Sequence, residues 1–350
     1  MEQKHASVPG WRLVDLAELA GAAARMDGNA DLFQTAAWFQ NLVNHGLAMP
    51  MQPFLPALLD AQGRVTCVLP LAATSQGLRS LSNYYSSLFG PVGAVPPVEW
   101  EALAGLLRRQ PHGGVLDLHP LDADARWVDE LATALRDVGY WVDRYFCFGN
   151  WYLPVTHARF DDYFGTLPPA LRHSIERGRR RLTRAGSHVL KVHTEPGAAL
   201  DAAITSFTSV YGRSWKRPEP SAQFMPQLAR MAAARGWLRL GVLELHGEPI
   251  AAQVWLVAGG KANIYKLAYV QGFERFSPGS VLTAALMAHV MDVDGVREVD
   301  YLTGDDAYKR DWMSHRRERV GMVAFDPLRL GGLLASARHY GGKAWRRLGR

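Results

Sequence analysis

Between Asp300 and Trp312 the chain sets two adjacent carboxylates, Asp305 and Asp306, just ahead of Tyr308 and Lys309. A carboxylate in that place would take a proton from an attacking amine, pair with Lys309, or cap the turn that follows. Tyr308 reads either as a proton donor to a leaving group or as a core aromatic. Upstream, Ser277-Pro278-Gly279-Ser280 heads an apolar helical pattern. Free N–H groups and the positive end of a helix dipole make such a start a seat for phosphate. Gly279 admits a close backbone approach, Ser280 adds a hydroxyl, and Arg275 adds a cation. Trp215 and Lys216, with Arg213, suit an anionic sugar or pyrophosphate, Trp215 stacking on it or else serving as a core tryptophan. Strand alternation groups Gln253 with Trp255, and Lys266 with Ala268. Lys266 in an otherwise apolar strand, near Tyr269, is either a cleft cation or a charge guarding a sheet edge.

The elements that must carry these groups are legible in the apolar pattern. Trp237–Leu245, Pro249–Val257 and Ala262–Val270 are three strand-like runs broken at His246-Gly247 and Gly259-Gly260, which predicts an antiparallel meander. Ser277 as N-cap and Pro278 at the first helical position then open a helix through Met291. A short strand, Val296–Leu302, follows. A helix is expected over Ala199–Val210, and another from Pro169 that carries Arg172, Arg177, Arg179, Arg180, Arg181 and Arg184. Three readings of that helix stand: a solvated face, a phosphate clamp, or a tRNA contact. The first half echoes the order, with strands at Phe54–Leu59 and Val65–Leu71, a helix at Val98–Arg109, a strand at Val115–Leu118, a helix at Ala125–Val138 and a long strand at Tyr140–Leu153.

The 350 residues suffice for two domains, expected at 1–155 and 156–327, with a basic tail at 328–350 punctuated by Gly331-Gly332 and Gly341-Gly342. The net charge of +6 is uneven. Residues 172–193 hold seven basic groups and one acid, and 309–350 hold eleven and three. The rest is therefore acidic, which argues against a uniformly basic DNA-binding surface. Two cysteines exclude a disulfide framework and a thiolate zinc site. Walker-A, GxSxG, HExxH and GxGxxG patterns are absent. Asp292-x-Asp294 sits at a helix end, so no metal is expected. Met1-Glu-Gln-Lys-His lacks a signal-peptide layout, which points to a cytoplasmic protein; the basic tail, with Trp345-Arg346-Arg347-Leu348, reads either as a peripheral contact with an anionic membrane or as a frayed end.

Five segments occur in order: Ser214-Trp215-Lys216, Gly247–Gln253, Lys266–Tyr269, Ser277-Pro278-Gly279 and Asp300–Trp312. Together they resemble the GNAT-type acyltransferases of the CelD-like kind, relatives of the FemAB peptidyltransferases. The resemblance implies an α/β (mixed α+β) fold with two tandem GNAT-like domains, each a mainly antiparallel sheet flanked by helices. It implies transfer of an acyl group from a thioester, with acyl-CoA as co-substrate, to an amine of a cell-envelope or polysaccharide precursor. In the FemAB branch the donor is aminoacyl-tRNA, and a non-catalytic binding module on the same scaffold is a third reading. The coenzyme A pyrophosphate would rest on the Gln271–Ser280 loop, although Pro278 and Val281 depart from the usual signature. The acyl chain would lie along strands splayed after Val270. Lys309 matches the Tyr/Phe-Lys of FemAB-like enzymes, which implies a lysine facing the reacting centre to stabilise an oxyanion.

Overall fold

The computed structural model describes residues 10–47, 51–110 and 113–348. The N-terminal run Met1–His5, read above for a targeting layout, lies outside them. The chain divides into two compact units, Met1–Phe148 with Glu318–Arg350, and Gly149–Arg317. Each is a mixed α/β structure.

The first unit opens with β1 (Gly10–Val14), α1 (Leu16–Met26), α2 (Ala36–His45) and β2 (Gln52–Leu59). It continues through β3 (Val65–Val68), β4 (Leu71–Thr74), β5 (Gly77–Ser80), α3 (Glu99–Arg109), β6 (Val115–Asp122) and α4 (Arg126–Asp137). The expected strand Val65–Leu71 is two strands, because Leu69-Pro70 interrupts it and proline has no N–H for a ladder. β4 and β5 are antiparallel, and β5 and β6, joined across α3, are parallel. β7 (Trp141–Pro154) then carries the chain into the second unit.

That unit holds α5 (Phe160–Thr166), α6 (Pro169–Ala185), β8 (His188–His193), α7 (Ala198–Gly212), α8 (Phe224–Ala234), β9 (Leu238–Leu245) and β10 (Glu248–Ala258). It ends with β11 (Lys261–Tyr269), α9 (Pro278–Asp292), β12 (Glu298–Asp300) and the short α10 (Ala307–Arg310). β13 (His315–Phe325) and α11 (Leu330–Leu348) follow. The meander is antiparallel as expected, β9 with β10 and β10 with β11. Its two turns, His246-Gly247 and Gly259-Gly260, have positive φ at both residues, the twist that tight hairpins need. β12 pairs parallel with β11 after the α9 crossover, so β10-β11-α9-β12 reproduces the order of β4-β5-α3-β6. The core of this unit lies between the sheet and helices α6 and α9, around Trp255, Ile264, Leu282, Leu286 and Val290.

Two expectations are corrected. The basic stretch 328–350 is not a separate tail. Among the described residues it is α11, helical through both glycine pairs, and it groups with the first unit together with most of β13. Ser277 does not cap α9 through its side chain. It sits in the left-handed region, at φ 47°, and its hydroxyl lies 2.9 Å from that of Ser174 on α6. Pro278 does begin the helix, as expected.

Candidate active site

β11 has β12 beside it only from Lys261 to Asn263 and then runs on to Tyr269. A cleft of about 500 Å³ lies within the second unit, beside that stretch and at the head of α9. Leu267 and Tyr269 line it from β11, and Ser277, Pro278, Gly279, Ser280 and Thr283 from the helix start. Trp215 and Lys216 come from the segment after α7, and Asp306 and Tyr308 from the segment after β12. Of the residues singled out from sequence, the cleft gathers Trp215, Lys216, Tyr269, Ser277, Gly279, Ser280, Asp306 and Tyr308.

The head of α9 is held from below. Fully buried Gln253 donates through Nε2 to the Gly279 carbonyl at 2.9 Å and lies 2.9 Å from Thr283 Oγ1, while its Oε1 accepts from Trp255 Nε1 at 2.9 Å. Gln253 is thus on the Trp255 face, as alternation required, but supports the helix start rather than touching the cleft. Pro278 has no N–H, and the Ser277 N–H donates to the Glu274 carbonyl. The amides of Gly279 and Ser280 are the ones left for an anion.

Strand parity decides three other positions. Leu267 and Tyr269 face the cleft, so Lys266, Ala268 and Val270 face away. Lys266 accordingly meets Glu219, 2.8 Å away, and is no cleft cation. Val270 is buried, its amide donating to the Ile250 carbonyl at 2.9 Å, so it does not line a donor path. Arg275 is exposed, its guanidinium 4.7 Å from the Phe276 ring centroid, and it is not among the residues that line the cleft.

The largest correction concerns charge. The Lys309 ammonium is buried and bound to the carbonyl oxygens of Tyr301 (3.3 Å), Thr303 (2.5 Å) and Gly304 (3.3 Å), with Asp306 at 3.4 Å. Burial holds its pKa down, Asp306 notwithstanding. Its donors are engaged by the carbonyls of this loop, and Lys309 is not among the residues that line the cleft. Asp305 accepts from Trp151 Nε1 at 2.6 Å and from Arg316 Nε at 3.0 Å, and these bonds lower its pKa. A carboxylate kept ionised in that way is a poor proton acceptor. Asp306, its neighbour, is the carboxylate that lines the cleft.

Lys216 is the lysine that lines the cleft. Its ammonium has no ion pair among the described residues and lies 5.6 Å from the Trp215 ring centroid. Burial, with Lys266 nearby, lowers its pKa. Trp215 is half exposed and packs on Tyr269 at 4.6 Å between centroids. Tyr308 meets Tyr301 edge-on, and burial pushes its pKa up to about 12, so its phenol keeps its proton at neutral pH.

Sequence reasoning missed the frame behind this loop. Asp300, fully buried, accepts from Asn150 Nδ2 at 2.6 Å and from the Leu302 amide at 2.6 Å, and it is ion-paired with Arg317. Arg317 also binds Glu298 at 2.6 Å and Asn150 Oδ1 at 2.7 Å. The carboxylates raise the Arg317 pKa despite its burial. Leu302, at φ 57°, is held in the left-handed region between these contacts and Lys309. One signal was available: Asp300 ends a strand between apolar Val299 and aromatic Tyr301. Gly178 was missed too. A Cβ there would collide with the Phe276 carbonyl oxygen, so glycine lets α6 reach the turn before α9.

A family model described as an acetyltransferase (GNAT) domain matches residues 169–310, from the start of α6 to the end of α10. No curated protein matches the chain. Among solved structures, FemX is similar over 90% of this chain and 97% of its own, at 12% identity and TM-score 0.61. A conserved protein of unknown function from Bacteroides thetaiotaomicron VPI-5482 is similar over 91% and 100%, at 9% identity and TM-score 0.61. L-PGS from Bacillus licheniformis is similar over 92% and 95%, at 13% identity and TM-score 0.55.

Proposed function

Starting from a chain with a GNAT-superfamily, FemAB-like fold, we propose that this protein is an N-acyltransferase. It moves an acyl group from an acyl thioester, acyl-CoA, to an amine of a cell-envelope or polysaccharide precursor. The observation that supports this is the meeting in one cleft of a helix head with two free amides, an unpaired lysine, a protonated phenol and a carboxylate.

The donor's phosphates lie against the Gly279 and Ser280 amides, and its acyl chain runs along the free edge of β11. The amine nitrogen attacks the thioester carbonyl carbon, after its ammonium has given a proton to Asp306 or to water. An amine of pKa near ~8 needs little help from that base. Lys216 stabilises the oxyanion. The carbon–sulfur bond then breaks, the thiolate takes a proton from Tyr308, and the surplus proton on the attacking nitrogen passes to solvent, which reprotonates Tyr308. Lys309, Asp305 and Gln253 are positioning residues that hold the loop and the helix head.

A second reading is favoured by α6. Its exposed arginines flank the head of α9, where Arg181 donates to the Arg275 carbonyl at 2.6 Å. An aminoacyl-tRNA donor would meet that surface, with binding that weakens as salt rises. Calorimetry with acetyl-CoA and longer acyl-CoAs, beside filter binding of tRNA, separates the two. Absence of binding to every thioester sinks the coenzyme A version. Asp306→Asn lowers turnover, while Asp305→Asn changes it less.

A further inference from the structure

α11 is amphipathic in the reverse sense for a surface helix. Helical surface elements ordinarily turn their apolar stripe inward. Here the inward side carries His339 and Lys343, which bind Asp143, His339 Nε2 at 2.5 Å from Asp143 Oδ2. Ser336 is also buried on that side. The outward stripe is Leu330, Leu334, Ala337, Gly341 and Trp345, with Leu333 and Tyr340 along one margin and Arg338 along the other. Leu330 is 73% exposed, Leu334 62% and Trp345 80%, and Leu328, just before the helix, extends the patch.

Charge says what this face meets. From Leu328 to Arg350 the sequence has no aspartate or glutamate; of its six basic residues Lys343 is bound to Asp143 and Arg329 to Asp326, which leaves Arg338 and, in the sequence, Arg346, Arg347 and Arg350 to set the charge of this segment. A stripe of leucines with tyrosine and tryptophan, in a segment of purely positive charge, has the composition of a helix lying in a lipid interface. Apolar side chains enter the acyl boundary, aromatic rings sit at headgroup depth, and arginines reach anionic phosphates. No helix among the described residues is long and apolar enough to cross a membrane, so contact through this face is peripheral.

We infer that the outer face of α11 docks the protein on an anionic lipid bilayer. The full chain is floated with vesicles of phosphatidylcholine alone and of equimolar phosphatidylcholine and phosphatidylglycerol, at low and high salt. The same is done with Leu330→Glu/Leu334→Glu, whose side chains are exposed and whose melting temperature therefore stays at the wild-type value. Roughly tenfold more protein floats with the anionic vesicles than with the neutral ones. High salt reduces that fraction, and the double variant loses it. Equal flotation of the variant overturns the inference, because charge alone then suffices. Absence of flotation also overturns it. A dimer in solution that the variant dissociates, without flotation of the wild type, assigns the face to a second copy of the chain instead.

Discussion

The ammonium of Lys309 lies 2.5 Å from the carbonyl oxygen of Thr303. With the Tyr301 and Gly304 carbonyls it completes a cage that shapes the loop between β12 and α10. Lys216, by contrast, faces the cleft with no ion pair among the described residues. One lysine is thus bound to the loop and the other lines the cleft.

Replacing Lys309 by methionine leaves buried carbonyls without a donor. The expected cost is about 1–3 kcal/mol of stability, read as a lower melting temperature, with activity falling alongside it. A variant that loses turnover yet melts like the wild type would return Lys309 to the reacting centre.

Lys216→Ala keeps the wild-type melting temperature and lowers kcat/KM by roughly tenfold or more, the scale of a charge-assisted contact. Its pH profile has a defined sign. The cation is present below the lysine pKa and lost above it, and that pKa is depressed. Activity therefore falls on the alkaline side at a lower pH than an ordinary lysine would set. In Lys216→Arg the alkaline fall disappears.

Arg317→Met takes the guanidinium from fully buried Asp300 and leaves it Lys261, 3.7 Å away, as its remaining cation. With that weaker partner in place the cost is about 3 kcal/mol, the low end for a broken buried pair. Chemical denaturation should register that loss, and the double variant Arg317→Met/Asp300→Asn should recover part of it.

Gly178→Ala puts a methyl group against the Phe276 carbonyl. Overpacking of this kind costs about 1–3 kcal/mol and moves α6 off the turn that leads into α9. Donor affinity, measured by calorimetry, is expected to fall even at temperatures where the variant stays folded. Ala170, on the same helix but exposed, tolerates Ala170→Ser without such a change.

The meander and α9 could be read before the structure because long apolar runs, glycine-bearing turns and Ser-Pro at a helix start are local signals. The roles of Lys309 and Lys216 could not, since sequence spacing places a lysine near a loop without saying which way its ammonium turns. Lys266 and Val270 failed for a related reason: the parity of β11 was legible, but which parity met the cleft was not. The network of Asn150, Asp300 and Arg317 joins residues about 150 apart in the chain, beyond the reach of any periodicity. Gly331 and Gly332, which punctuate the basic stretch in sequence, lie inside α11. A Cβ on Gly332 would strike the backbone carbonyls of Asp326 and Gly114, and one on Gly331 that of Gly113. Close approach, not flexibility, is their purpose.

The return of Glu318–Arg350 to the first unit sets an order for biogenesis. On the ribosome the second unit has all its residues once Arg317 has emerged, and Asn150 already waits for the Arg317 side chain. The first unit lacks most of β13 and all of α11 until the residues after Arg317 have followed. The part of the chain made first is the last to finish folding, the reverse of the usual N-terminal-first sequence. A nonsense codon anywhere after Arg317 would therefore damage the beginning of the protein while sparing its middle.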